Sequence, residues 1–157
     1  MKLKYFICLL LLTGLCSARI NAATQINTPT VSGTWTLEGS PYYIHNNINI
    51  PQNSTLTIKA GVEVVFIGHY GLSTYGSLSA RGNEKQKIIF RSNDTTGWSD
   101  LYSTAGGWQG ITLENTGQTD FSIPTFEYCI FRDMKKSQSY GLFVSTTPLF
   151  YINECEF

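Results

Sequence analysis

Apolar and polar residues alternate in short runs along most of the chain. The runs are Tyr42-Tyr43-Ile44, Ile48-Asn49-Ile50, Thr55-Leu56-Thr57-Ile58, Val62 to Phe66, Lys87-Ile88-Ile89-Phe90, Gly110-Ile111-Thr112-Leu113, Phe126 to Phe131, Gly141-Leu142-Phe143-Val144 and Leu149 to Ile152. β-Branched and aromatic residues dominate them, and Gly, Pro and Asn separate them, which is the period-two signature of strands with one buried face. No stretch after residue 23 sustains a helical period. The pattern predicts an all-β chain.

The runs also repeat. Leu56-Thr57-Ile58-Lys59 aligns with Leu78-Ser79-Ala80-Arg81 at an interval of 22, and Val64-Val65-Phe66 aligns with Ile88-Ile89-Phe90 at 24. Pro124 and Pro148 are 24 apart, Tyr128-Cys129 and Glu154-Cys155 are 26 apart, as are Phe131 and Phe157, and Gly110–Leu113 recurs as Gly141–Val144 at 31. A loose period with preserved strand patterns predicts the coils of a β-solenoid, in which inward residues stack on their equivalents one coil away and loops absorb the length variation. A β-sandwich or jelly roll also uses many short strands. It gives no reason, however, for Leu56-x-Ile58 to return in register as Leu78-x-Ala80, and the Asn-Gly and Asp-Gly turns that favour its hairpins do not occur. About five coils fit between residues 31 and 157, with 24–44 as an N-terminal cap region and 45–157 as the coils. Ala60-Gly61 and Arg81-Gly82 are expected at corners, with Gly supplying φ > 0.

The stretch Val31-Ser32-Gly33-Thr34-Trp35-Thr36, then Ser40-Pro41-Tyr42-Tyr43-Ile44, then Ser54 through Phe66, resembles the start of secreted bacterial right-handed parallel β-helix proteins of the pectin-lyase-like superfamily. Gly76-Ser77-Leu78-Ser79-Ala80-Arg81-Gly82, Lys87-Ile88-Ile89-Phe90 and Gly107-Trp108-Gln109-Gly110-Ile111 are similar to the coils that follow in that group. The resemblance implies a right-handed single-stranded parallel β-helix over residues 31–157. It implies no single activity, because the same solenoid carries lyases, hydrolases, adhesins and surface proteins. Lyases of the group resemble one another in using Asp clusters for Ca²⁺ with an Arg or Lys base, and hydrolases in using paired carboxylates. This sequence has no Asp-x-Asp or comparable cluster. Asp94 and Asp100 fall in one loop and Asp120 and Asp133 stand alone, so no catalytic residue, metal ligand or cofactor is expected.

The chain stops at Glu154-Cys155-Glu156-Phe157, inside a run that repeats residues 128–131. A solenoid ending there would expose the apolar face of its last coil. The expectation is a fragment truncated at the C-terminus; the alternative is a short protein whose last coil a partner covers at Phe157.

Composition narrows the class. The formal net charge is zero, but Lys2, Lys4 and Arg19 all lie in the first 23 residues, leaving eight basic against eleven acidic side chains. Such a balance excludes a polybasic binder of nucleic acid or anionic membranes. Lys2 and Lys4 precede an apolar run from Tyr5 to Leu15, and small residues follow at Ala22 and Ala23, the order of a secretory signal peptide over residues 1–23. The run is too short for a transmembrane helix, which needs ~20 residues. The mature protein is expected to be secreted: periplasmic, extracellular or at the cell surface. Of four cysteines, Cys8 and Cys16 belong to the signal and Cys129 and Cys155 remain. Two are too few for a disulfide scaffold. Their interval predicts stacked structural neighbours, expected as reduced thiols filling a ladder, with a disulfide between them as the alternative.

Candidate chemistry is sparse. Residues 92–107 form the longest break in the strand pattern, and loops longer than ~12 residues are uncommon unless functional or disordered. In it, Trp98 and Tyr102 would offer flat faces to a sugar ring, with Asn93, Asp94 and Asp100 supplying hydrogen bonds; against this, Trp98 could fold back and anchor the loop. Trp108 is expected to pack structurally. The charge run Arg132-Asp133-Met134-Lys135-Lys136 reads as a solvated turn, and His45 and His69 as isolated. The expected function is a secreted β-helix scaffold without catalytic activity, surface-associated or in contact with a polysaccharide or cell-surface glycan. The alternative is the N-terminal part of a polysaccharide lyase or glycosidase whose catalytic coils lie beyond Phe157.

Overall fold

A computed structural model describes residues 22–100, 102–114, 123–135, 143–144 and 150–157. The expected signal peptide, apart from its last two residues, lies outside this range. Among the described residues the chain is all-β except for one 3-10 turn, Leu37–Gly39. In chain order the strands are β1 (Thr24–Ile26), β2 (Gly33–Trp35), β3 (Tyr42–Ile44), β4 (Ile48–Ile50), β5 (Thr55–Lys59), β6 (Glu63–Phe66), β7 (Gly71–Thr74), β8 (Ser77–Arg81), β9 (Ile88–Ser92), β10 (Gly110–Leu113), β11 (Thr125–Glu127), β12 (Cys129–Phe131), β13 (Phe143–Val144) and β14 (Tyr151–Asn153). They build three sheets, ordered β1-β3-β6-β9-β12, β4-β7-β10-β13 and β2-β5-β8-β11-β14. Every neighbouring pair of strands is parallel.

From β2 onward the chain visits the third, first and second sheets in an unchanging cycle. Parallel neighbours need a long crossover. Here the crossover is made of the strands of the other two sheets, an arrangement consistent with a solenoid. The segment 24–44, expected as a cap, contributes β1, β2 and β3 to these sheets, and Thr30 bridges to Asn49 of the second.

Most of the register follows the sequence repeat. Leu56 pairs with Leu78 and Ile58 with Ala80, Phe126 pairs with Ile152 and Thr112 with Phe143. Two alignments are corrected. Pro148 lies outside the described residues, and Thr125 pairs with Tyr151, an interval of 26 in place of the 24 between the prolines. The sequence sets Val64 beside Ile88, whereas the structure pairs Val64 with Phe90 and Glu63 with Ile89. The extra residues sit in the turn Asn83-Glu84-Lys85-Gln86, where Asn83 and Gln86 exchange backbone bonds of 3.2 and 3.1 Å and Asn83 Oδ1 accepts the Lys85 and Gln86 amides. A slip of two residues preserves which face each side chain occupies, so the apolar pattern alone does not detect it.

The corners show a second difference. Phe126 to Phe131 reads as one strand but divides into β11 and β12 at Tyr128, whose φ is 51°. Glu154, its equivalent one round later, has a φ of 52°. A single left-handed residue turns the chain from the third sheet to the first, a conformation uncommon for side chains with a Cβ. Gly61 has the expected positive φ, 78°. Gly82 does not, and is required for space: a Cβ there would lie 2.7 Å from the Tyr128 carbonyl oxygen.

The inner faces of all three sheets meet in one apolar core. Register converts it into ladders, among them Tyr42, Val64, Phe90 and Phe131 in the first sheet, Ile48, Leu72 and Ile111 in the second, and Ile58, Ala80 and Phe126 in the third. Aromatic rings stack along the first: Phe90 on Phe131 with centroids 5.0 Å apart, and Phe131 on Phe157 at 5.1 Å. Such parallel rings add to simple area burial. We therefore expect Phe90→Ala to cost about 3–5 kcal/mol, measured by urea unfolding, whereas Thr57→Ala, on the outer face of β5, should stay within about 0.5 kcal/mol.

Candidate functional site

The long break in the strand pattern is a loop between β9 and β10, described over residues 93–100 and 102–109. Its ends are fixed by the sheets. At the start, the Asn93 amide donates to the Phe66 carbonyl at 2.9 Å. At the far end, Trp108 is fully buried, its ring stacked on Phe66 with centroids 4.2 Å apart and its indole N–H donating to the Arg132 carbonyl at 2.6 Å. Trp108 packs structurally, as expected.

Within the loop the chain folds on itself through short turns. Asp94 Oδ1 accepts the Thr96 amide at 2.8 Å, Asp100 Oδ1 accepts the Tyr102 amide at 3.0 Å and Ser103 Oγ accepts the Ala105 amide at 3.0 Å. Asp and Ser close such turns because their short side chains reach the amide two residues on. The two legs approach closely at Gly106, where a Cβ would lie 2.4 Å from the Trp98 nitrogen.

Lys135 holds the legs together. It is 1% exposed, and its Nζ donates to the carbonyls of Gly97 and Ala105, both at 2.9 Å. The charge run it belongs to is therefore not a solvated turn. Arg132 is exposed, but Asp133 turns the chain with a φ of 60°, its Oδ2 facing the Ser92 amide at 3.3 Å, and Met134 is buried in a parallel bridge with Trp108. Lys136 lies outside the described residues. Sequence reasoning missed Lys135 because a lysine inside a charge run is ordinarily exposed; its burial comes from the loop folding over it.

The five residues singled out as ligand-contacting, Asn93, Asp94, Trp98, Asp100 and Tyr102, all lie in this loop and all are exposed. Tyr102 is 88% exposed and Trp98 39%. Asp94 and Asp100 have one oxygen each committed to a turn, so their first role is to shape the loop. His69, in the connection before β7, joins the loop base through Nδ1 and the Gly107 carbonyl at 3.1 Å. His45 faces Gln25 across the first sheet, Nε2 to Oε1 2.7 Å. Among the described residues no group of three or more His, Cys, Asp or Glu side chains converges as a metal would require. No described helix is long and apolar enough to cross a membrane.

Compared with models of known protein families, with characterised proteins and with solved structures, the chain matches none. The chemistry of the site thus rests on its own geometry.

Three further carboxylates on the outer surface form ion pairs: Glu63 with Arg91, Glu127 with Arg81 and Glu156 with Lys87. The Lys87–Glu156 hydrogen bond raises the ammonium pKa and lowers that of the carboxyl. Both groups are exposed, so the pair adds little to stability.

Two outcomes follow. Lys135→Met removes two charge-assisted bonds that tie the loop's legs together, so it should lower stability by about 1–3 kcal/mol and sharply reduce hydrogen-exchange protection across 93–107. The Asp94 carboxyl is held below its ordinary 3.8 by the Thr96 amide and hydroxyl. A lowered carboxyl stabilises the turn above 3.8, and that contribution disappears as pH falls through the lowered value. The Thr96 amide resonance should follow this titration in the wild-type chain and lose it in Asp94→Ala.

Proposed function

We propose that the protein is a right-handed parallel β-helix related to the pectin-lyase-like group, secreted, and that it serves as a non-catalytic scaffold contacting polysaccharide or a cell-surface glycan through the 93–107 loop. The parallel pairing and cyclic sheet order support the fold reading, and crossovers between parallel strands are nearly always right-handed. The observation that carries the functional reading is the clamped loop. Lys135 and the loop turns hold a loop in which Trp98 and Tyr102 remain accessible, as do Asn93, Asp94 and Asp100.

A sugar ring has an apolar face and a hydroxyl rim. Flat aromatic side chains match the first, and amide and carboxylate groups match the second. A loop already ordered loses less entropy on binding than a mobile one. The commitment of Asp94 and Asp100, the loop's two carboxylates, to turns supports a contact surface over an acid–base pair, which needs two carboxyl groups directed at one bond.

Binding to immobilised polysaccharides and to a glycan array tests the proposal. Trp98→Ala and Tyr102→Ala should each weaken binding roughly tenfold, about 1.4 kcal/mol, while thermal stability stays nearly unchanged. Binding to no glycan overturns the reading. A large loss of stability in Trp98→Ala with binding intact would instead make the ring a structural anchor.

A further inference from the structure

Cys129 and Cys155 occupy equivalent places in neighbouring rounds. The flanking pairs Phe126–Ile152 and Ile130–Glu156 set the register, and each cysteine follows a left-handed corner residue, Tyr128 or Glu154. Their surroundings are copies of each other. The Cys129 thiol faces the carbonyls of Ala80 and Glu127 at 3.6 and 3.5 Å; the Cys155 thiol faces those of Phe126 and Asn153 at 3.5 and 3.3 Å. Ala80 and Phe126 are themselves register partners. Both thiols are free, and the Cys129 amide donates to Cys155 Sγ at 3.4 Å.

The two cysteines differ in access. Cys129 is fully buried, and Cys155 is half-buried. We propose that they form an oxidisable pair, with Cys155 the entry thiol and Cys129 the resolving thiol, a modification site for small-molecule disulfides that links two neighbouring rounds. This goes beyond the glycan-contact reading and does not depend on it.

The chemistry is thiol–disulfide exchange. The Cys155 thiolate attacks one sulfur of the external disulfide, its S–S bond breaks, and one small thiol leaves as a mixed disulfide forms on Cys155. Cys129 then attacks the Cys155 sulfur, and its proton passes to the second small thiol as that thiol leaves. Two protein thiols are oxidised to one disulfide, and the reagent disulfide is reduced to two thiols. Burial pushes the Cys129 thiol well up from its ordinary value and closes it to the reagent, whereas Cys155 is half-buried, so attack begins at Cys155. In-register neighbours sit about 4.8 Å apart at Cα, inside the ~4.4–6.8 Å window for a disulfide. Parallel Cβ vectors do not by themselves give the required torsion, so forming the bridge requires the Cys155 side chain to rotate away from the Phe126 and Asn153 carbonyls.

The test uses the full chain with Cys8→Ser and Cys16→Ser, exposed to oxidised glutathione and read by intact mass, peptide mapping without reductant and thermal melting. The expected product has lost two hydrogens, carries no adduct, yields a linked peptide joining residues 129 and 155, and melts at a higher temperature that dithiothreitol lowers again. With Cys129→Ser added, glutathione should remain on Cys155. With Cys155→Ser added, Cys129 should stay unmodified. A glutathione adduct persisting on Cys155 beside an unreacted Cys129, a disulfide-linked dimer, or two thiols that never react each overturns the proposal.

Discussion

Parallel register between successive rounds is the constraint on which the rest of this structure depends. Each inward residue must sit over its counterpart about 4.8 Å away, so a side chain that fits one round must also fit the next. The ladder of Tyr42, Val64, Phe90 and Phe131 meets this demand with shapes that stack, and the rings of Phe90, Phe131 and Phe157 lie nearly parallel. Changes in length are confined to the corners. The Asn83–Gln86 turn adds its residues outside the core, and Ser79 reaches its partner Thr125 only after the chain has passed through the long loop.

The same constraint explains why the candidate site lies where it does. A long insertion between β9 and β10 cannot join the ladders and must stand off the sheets. Its ends are held by groups that belong to the ladders: Asn93 bonds to β6, and Trp108 stacks on Phe66. Its interior has no strand neighbour to supply donors for inward-facing carbonyls, and the buried ammonium of Lys135 supplies two. One cation thus does locally what the ladder of N–H groups does elsewhere. The loop is tied together by polar contacts, and Trp98 and Tyr102 stay accessible at the surface.

Equivalence between rounds also creates chemistry that neither residue has alone. A cysteine in a ladder position is ordinarily a small apolar filler. Two of them one round apart become neighbours in space although 26 residues separate them in sequence, and the unequal burial of the two rounds divides their roles.

Strand identity, the all-β class and most pairings were legible in the sequence by itself, because alternation and repetition are direct records of which side chains face a shared core. Leu56 over Leu78 and Phe126 over Ile152 follow from spacing alone. Spacing did not reveal the slip that places Val64 beside Phe90, since an even shift leaves the inward and outward sets unchanged. It did not reveal the break at Tyr128, because a left-handed corner at a non-glycine residue has no dependable sequence mark. The extent of the 93–107 loop was visible as an interruption of pattern, but its organisation was not. Lys135 reads as one charge in a solvated run, and only the tertiary structure brings Gly97 and Ala105, 38 and 30 residues away, to its ammonium. Local pattern records what a residue does repeatedly; a single long-range contact made once leaves no period to read.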